Sequence, residues 1–340
     1  MKKFEGYMHG IDLGGWLSQC DYSKDRLENF ITEKDIEIIK GWGLDHVRVP
    51  VDYNVFQNDD GSFIESGFGY VDRCIGWCRK HGLNMILDLH KTRGFSFDKY
   101  HNEKNFFNDE NLQQYFYSLW EEFSKRYAGY SDTVAFELLN EVTEPSYIDS
   151  WNRISAEAVK IIRKYSKDIR IIIGSYWNNS LDAMKYLSAP ADDNIVYTFH
   201  FYDPLIFTHQ GAYWVDEIPG DLRLSYPDNI STYQNKTREV GLNLCDFDHI
   251  TDGMIGPEYF KERMSEAKRV AEERNVAVYC GEYGVINLAS AQDTLNWYKD
   301  ISAAFDDYDF GRAAWCYKEM DFGISDANLA SVANELVKYL

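Results

Sequence analysis

Apolar runs of strand length alternate with segments of helical period along almost the whole chain. HGIDLG (9–14) precedes TEKDIEIIKGW, where Thr32 reads as a helix N-cap with Asp35 three residues on. HVRVPV (46–51) precedes YVDRCIGWCRKHG, which ends on a glycine suited to a helix C-cap. NMILDLH (84–90) is followed by NLQQYFYSLWEEFSKRYAGY, TVAFELLNE (133–141) by SWNRISAEAVKIIRKY, and IRIIIGS (169–175) by SLDAMKYLS. NIVYTFHFY (194–202) is followed, after a long interval, by PEYFKERMSEAKRVAEERN. VAVYCGEYG (276–284) precedes AQDTLNWYKDISAAF, and FGRAAWCYK (310–318) precedes ANLASVANELVKYL. Near-continuous apolar strands, each followed by a helix, read as parallel β with helices outside. Eight such units predict an α/β fold of the closed (β/α)8 TIM-barrel type. A doubly wound open sheet is the alternative, but no G-x-G-x-x-G follows the first strand to support it.

One interval breaks the rhythm. Residues 203–256, approximately, are far longer than an ordinary strand-to-helix connection and rich in aromatic and turn residues. They are expected to form an inserted subdomain beside the carboxyl ends of the strands, within a single domain spanning 1–340.

Composition excludes some partners. The chain of 340 residues carries 35 Lys and Arg against 55 Asp and Glu, a formal net charge of −20. Phosphate backbones and anionic membranes need a positive surface, so neither nucleic acid nor membrane is an expected partner. No apolar run reaches the length of a spanning helix, and no apolar segment of export type precedes the first strand. A cytoplasmic location is expected on that ground, with secretion as the alternative if a leader has been removed. The six cysteines, at 20, 74, 78, 245, 280 and 316, show neither CxxC nor zinc spacing and read mostly as reduced core thiols. A monomer is expected. Aromatic residues make up 16% of the chain, more than a core alone suggests, and stacking platforms in a binding groove are a natural use for the surplus.

In a (β/α)8 barrel the reactive groups come from the carboxyl ends of several strands. Reading them off gives Arg48 within the second strand, then His90, Asn140-Glu141, His200 with Tyr202, and Glu282 at strand ends, with Trp315 placed on the eighth strand. Two carboxylates at one pole, Glu141 and Glu282, suit an acid/base and a nucleophile, the pair that glycoside hydrolysis requires. Arg48 is expected to hold Glu282 ionised and Tyr202 to orient it. His200 is placed to tune Glu141, whose pKa the ionised neighbour is expected to raise. Asn140 and His90 offer hydrogen bonds to sugar hydroxyls, and Trp315 a flat face to a pyranose. Trp16, Trp177 and His209 are further candidates for substrate contact, each with packing as the competing role. Asp88 and His90 form a D-x-H pattern used by metal sites in other barrels, but Asp12-Leu13-Gly14 lacks matching histidines, so neither metal nor cofactor is expected.

HVRVP, LDLH, FELLNE, VYTFHFYDP, YCGEYGV and RAAWCYK, in this order and spacing, resemble the cellulase-type glycoside hydrolases of family 5. Within that family the chain is most similar to clostridial endoglucanases with a subdomain inserted after strand six. The resemblance runs from Gly10 to Phe322. It implies a retaining enzyme acting on β-glucans, an endo-β-1,4-glucanase, with Glu141 as acid/base and Glu282 as nucleophile. It also implies that Arg48, His90, Asn140, His200, Tyr202 and Trp315 line the site around the scissile sugar. Other β-glycans (mannan, xyloglucan, mixed-linkage or β-1,3-glucan) and exo-acting β-glucosidase action are the alternatives. A metal-dependent barrel hydrolase and a non-catalytic carbohydrate-binding barrel are alternatives of another class. Where the relatives tend to read His-Ala-Pro-Gly after the strand-three histidine, this chain reads Lys91-Thr92-Arg93-Gly94, which adds two cations expected beside the cleft.

Overall fold

The computed structural model describes residues 1–98, 104–242, 244, 246–247, 250 and 252–340. Eight parallel strands close into a barrel in chain order: β1 (His9–Asp12), β2 (His46–Asp52), β3 (Asn84–Lys91), β4 (Val134–Glu137), β5 (Arg170–Gly174), β6 (Ile195–Phe201), β7 (Ala277–Tyr283) and β8 (Gly311–Ala314). β1 pairs with both β2 and β8, which leaves no free edge. The predicted fold class is the one observed.

The two-residue period of each strand separates two kinds of surface. On β3, Met85, Leu87 and Leu89 join the large apolar cluster shared with the outer helices, while Ile86 belongs to the smaller cluster that fills the barrel floor with Phe4, Tyr7, Ile172 and Tyr279. Above that floor the inward positions turn polar: Arg48, Asp88 and Glu137 are all fully buried. β4 shows the same alternation, with Phe136 packed on Trp120 and Glu137 directed at Arg48.

Local signals hold where they are strongest. Asp35 accepts from both the backbone N–H and the hydroxyl of Thr32, at 2.8 and 2.7 Å, and so closes the start of helix Glu33–Gly41. Gly82 ends helix Glu65–His81 in the left-handed conformation, φ 69°. The expected helix over 180–188 is instead a 3-10 helix, Leu181–Tyr186, and the last segment keeps only one α-helical turn, Ala333–Leu336, between 3-10 turns. Of 203–256, the described residues contain helical turn Leu205–Thr208 and helix Ile230–Glu239, with Tyr226 bonded to Asp300 of helix Ala291–Tyr308 at 2.8 Å. Cys20, Cys74, Cys78, Cys280 and Cys316 are free thiols; Cys245 lies outside the described residues. Among the described residues no helix is long and apolar enough to cross a membrane.

Candidate active site

β4 leaves the ladder at Glu137, four residues short of the predicted strand end, yet Asn140 and Glu141 still reach the barrel mouth. The chain between them stays pinned on both sides: Leu138 N–H donates to Ile172 of β5 and Asn140 N–H to Leu89 of β3, at 3.1 and 3.0 Å. Glu141 itself has φ 43°, a conformation few L residues adopt, and its carboxylate meets the Asn178 amide and the His200 ring.

Glu282 arrives by a different device. The register between β6 and β7 shifts between Phe199 and His200, and that between β7 and β8 shifts between Cys280 and Tyr283. Such irregularities re-aim side chains next to reactive sites. Here they bring His200 Nδ1 to 2.7 Å from Glu141 Oε1 and 3.5 Å from Glu282 Oε2. One donor atom each from Glu141, His200 and Glu282 lies within 4.8 Å of the others.

Arg48 is the hub beneath them. Its Nη1 donates to Glu282 Oε1 at 2.8 Å and to Asp12 at 3.2 Å. Its Nε and Nη2 fork onto the two oxygens of Glu137 at 2.7 and 3.0 Å, and Nη2 also reaches Asn140 Oδ1 at 2.9 Å and Asp88 at 3.0 Å. Tyr202, just past β6, donates to Glu282 Oε2 at 3.1 Å. Both oxygens of Glu282 are therefore held by donors. Burial pushes the carboxyl groups of Asp12, Asp88 and Glu137 above their usual range, Asp88 to about 7, against the lowering pull of Arg48. Asp12, Asp88 and Glu137 were not singled out by the sequence pattern as partners of Arg48; their position, inward on strands whose other face is apolar, is the one signal for them.

Arg48→Met is therefore expected to destabilise the fold by about 3–5 kcal/mol, because four acids then lose their shared cation in a buried site. Chemical denaturation measures it. Asp88, already raised in the folded state, costs stability as the pH climbs from its usual 3.8 through about 7. The loss in the variant should accordingly be smaller at pH 5 than at pH 8; a loss that does not depend on pH would separate the effect from these carboxylates.

Glu141 is raised to about 7, and the cause differs from the expectation. Burial dominates, opposed by the hydrogen bond from Asn178 and the charge of Arg48; Glu282 is not among the causes. The Glu141 side chain is 13% exposed. Burial also lowers His200 to about 4 and His90 to about 3, so both rings are neutral. His90 Nδ1 bonds Asp88 at 2.6 Å, and its ring lies parallel to that of Trp315 with centroids 5.8 Å apart.

Trp315 sits one residue beyond β8 rather than on it, 7% exposed, and its indole fits because Gly14 has no side chain: a Cβ there would fall 2.9 Å from the ring. Among the described residues Asn140 Nδ2 is buried without a partner, a donor left for something else. His209 stands behind Tyr202, boxed by Trp214 and Phe322, with Nδ1 3.1 Å from the Thr208 hydroxyl. Trp177 is 53% exposed at the mouth beside Asn178. Asn178 and Asn179, on the turn after β5, carry no pattern in the sequence that marks them, yet they touch Glu141 and His200.

Two expectations are corrected. Trp16 does not face the cleft: it is wholly buried, donates its indole N–H to Leu27 O at 2.9 Å and stacks on Trp77 of the outer helix layer. The turn after β1 sends it outward, between strand and helices. Lys91 and Arg93 do not add free cations to the cleft either. Lys91 is buried with its amine 3.8 Å from Asp52, and Arg93 lies against the rings of Tyr53 and Tyr115 with Asp59 at 3.3 Å.

The family described as Cellulase (glycosyl hydrolase family 5) matches residues 10–321. Cellodextrinase A of Ruminococcus flavefaciens is 46% identical over 313 residues, 92% of this chain and 86% of that protein. Endoglucanase C of Acetivibrio thermocellus is 37% identical over 338 residues, 97% of each. Among solved structures, endoglucanase Cel5A from Thermotoga maritima is similar with a TM-score of 0.77 at 25% identity, covering 98% of this chain and 97% of that one.

Proposed function

The chain belongs to glycoside hydrolase family 5, the cellulase family, and from that premise we propose the course of its reaction: retaining cleavage of β-1,4-glucan chains in the manner of an endoglucanase. The observation that carries the mechanism is the separation of the two glutamates. One carboxylate oxygen of Glu141 and one of Glu282 lie within 4.8 Å of each other. Retaining enzymes keep their pair about 5–5.5 Å apart, whereas inverting ones leave about 6.5–9.5 Å for a water.

Glu282 attacks the anomeric carbon, forming a C–O bond as the glycosidic oxygen leaves, and Glu141 gives that oxygen its proton. Glu141, now ionised, takes a proton from water. The water oxygen bonds to the same carbon and Glu282 is released with its electron pair. Arg48 and Tyr202 hold the two oxygens of Glu282 in place for attack. Asn140, through its unpartnered amide, and His90 hold sugar hydroxyls; the Trp315 face carries the ring that is attacked. His209 and Trp177 extend the contact to neighbouring sugars, and 203–256 acts as an inserted subdomain that brings His209 and Trp214 to one wall.

Early products from cellohexaose should carry the β configuration in proton NMR spectra recorded before mutarotation, and a bell-shaped pH profile should lose its alkaline side near pH 7 as Glu141 deprotonates. An initial α product rules out double displacement. Sizing of products from soluble cellulose, mixed-linkage glucan and cellodextrins then separates internal cleavage of polymers from trimming of short chains. EDTA is expected to leave the rate unchanged; an EDTA-sensitive rate restored by a divalent ion would favour a metal at Glu141, His200 and Glu282.

A further inference from the structure

The turn after β5, Tyr176–Asn179, has an uncommon backbone. Trp177, Asn178 and Asn179 all lie in the left-handed region, at φ 53°, 55° and 57°. Asparagine tolerates that region; an indole-bearing residue seldom enters it. A run of this kind persists only where its surroundings over-determine it. Here they do so from both sides. The N–H groups of Trp177 and Asn178 donate to the carbonyls of Thr143 and Val142, at 3.2 and 3.0 Å, which are the residues that directly follow Glu141. Gly174 at the end of β5 leaves the space that the Asn179 amide fills: a Cβ there would fall 2.1 Å from Asn179 Oδ1.

The consequence is a pair of consecutive amides aimed at two neighbouring targets. Asn178 Nδ2 donates to Glu141 Oε2 at 3.0 Å. Asn179 Nδ2 lies 3.3 Å from His200 Nε2, while His200 Nδ1 lies 2.7 Å from Glu141 Oε1. A neutral imidazole carries one proton. With a donor facing Nε2, that proton sits on Nδ1 and points at Glu141. Each oxygen of Glu141 thus meets a donor that this one turn supplies or orients.

We propose that Asn178 and Asn179 are positioning residues for Glu141, Asn178 by holding Oε2 directly and Asn179 by fixing the His200 tautomer that holds Oε1. The proposal rests on the reading of Glu141 as the acid/base. Such a group must give up a proton in one half-reaction and take one in the next. Burial alone favours the neutral form, and two donors on the carboxylate favour the charged one, so the turn brings the two forms closer in energy. The other titratable groups facing Glu141 are Glu282 from β7, Arg48 from β2, Asp88 from β3 and Tyr202 past β6; the variants below leave them all in place.

Carbon-13 NMR of protein labelled at the glutamate carboxyl carbons follows Glu141 directly, its signal assigned by its loss in Glu141→Gln. In Asn178→Ala the Glu141 titration should move up by about one pH unit. Asn178→Asp should move it further, since a carboxylate replaces the donor. Asn179→Asp should also move it up, because an acceptor draws the imidazole proton to Nε2 and leaves a lone pair facing Glu141. The alkaline side of the kcat/KM profile on cello-oligosaccharides should follow in each case. A Glu141 titration unchanged in both Asn178→Ala and Asn179→Asp overturns the proposal. A titration that moves while the kinetic profile stays supports the positioning and overturns the acid/base reading instead.

Discussion

Glu282→Gln is expected to lower turnover on the order of 10⁴-fold or more while the melting temperature stays within a few degrees of the parent. The amide keeps the volume and the contact with Tyr202 but offers no nucleophilic oxygen, so the covalent route closes. The fold should survive because Arg48 retains Asp12, Asp88 and Glu137 as counter-charges, each within 3.2 Å. That asymmetry matters: removing one of four acids relieves a crowded negative site, whereas removing Arg48 takes the shared cation from all four. Steady-state rates with thermal unfolding curves on the same preparation check both halves. A folded variant that retains a tenth of the parent's activity would sink the assignment of Glu282.

Glu141→Ala should show a different failure. On natural substrates the glycosidic oxygen is a poor leaving group, and loss of general acid help of about 10²–10⁴-fold is expected. An aryl cellobioside with a good leaving group needs no proton, so it should still load Glu282 in a burst, after which deglycosylation stalls for want of a base. Azide needs no base. It should restore turnover by entering the face opposite Glu282, where the alanine has opened room, and give a β-glycosyl azide. Glu282→Ala rescued by azide should instead give the α-azide. An α product from Glu141→Ala would mean that the two glutamates have each other's role. The assignment puts weight on His200, which lies 2.7 Å from Glu141 and 3.5 Å from Glu282, and on Glu141 being raised to about 7 by burial.

The barrel was legible in the sequence because its signal is local. A strand that is buried on both faces writes itself as a continuous apolar run, and a helix covering it as a 3.6-residue stripe; each can be read within a dozen residues. Thr32 with Asp35 and the glycine at position 82 were legible for the same reason, since caps are made by residues three or four apart. Arg48, Asn140, Glu141 and Glu282 stood out as polar residues interrupting apolar runs at the strand ends where reactive groups collect. The resemblance to a family then supplied their roles.

What the local pattern did not carry is which of those groups would meet. Trp16 follows β1 by four residues and Trp177 follows β5 by three, yet one is wholly buried against Trp77 and the other stands half in solvent; the direction of each turn decides, and turns after strands have no period. Lys91 and Arg93 read as cleft cations until the fold gave them Asp52 and the rings of Tyr53 and Tyr115. The gathering of Asp12, Asp88, Glu137 and Glu282 on one guanidinium sets Arg48 against a residue 234 positions along the chain. The two register shifts that aim His200 and Glu282, and the left-handed run that turns Asn178 and Asn179 toward Glu141 and His200, depend on strand stagger and on carbonyls offered by a neighbouring loop. The sequence by itself determined eight apolar strands and the polar residues at their ends, because hydrophobic periodicity is set by nearest neighbours along the chain. Only the closed barrel decided their convergence, because the distance between side chains on different strands is fixed by twist, stagger and packing around the whole ring.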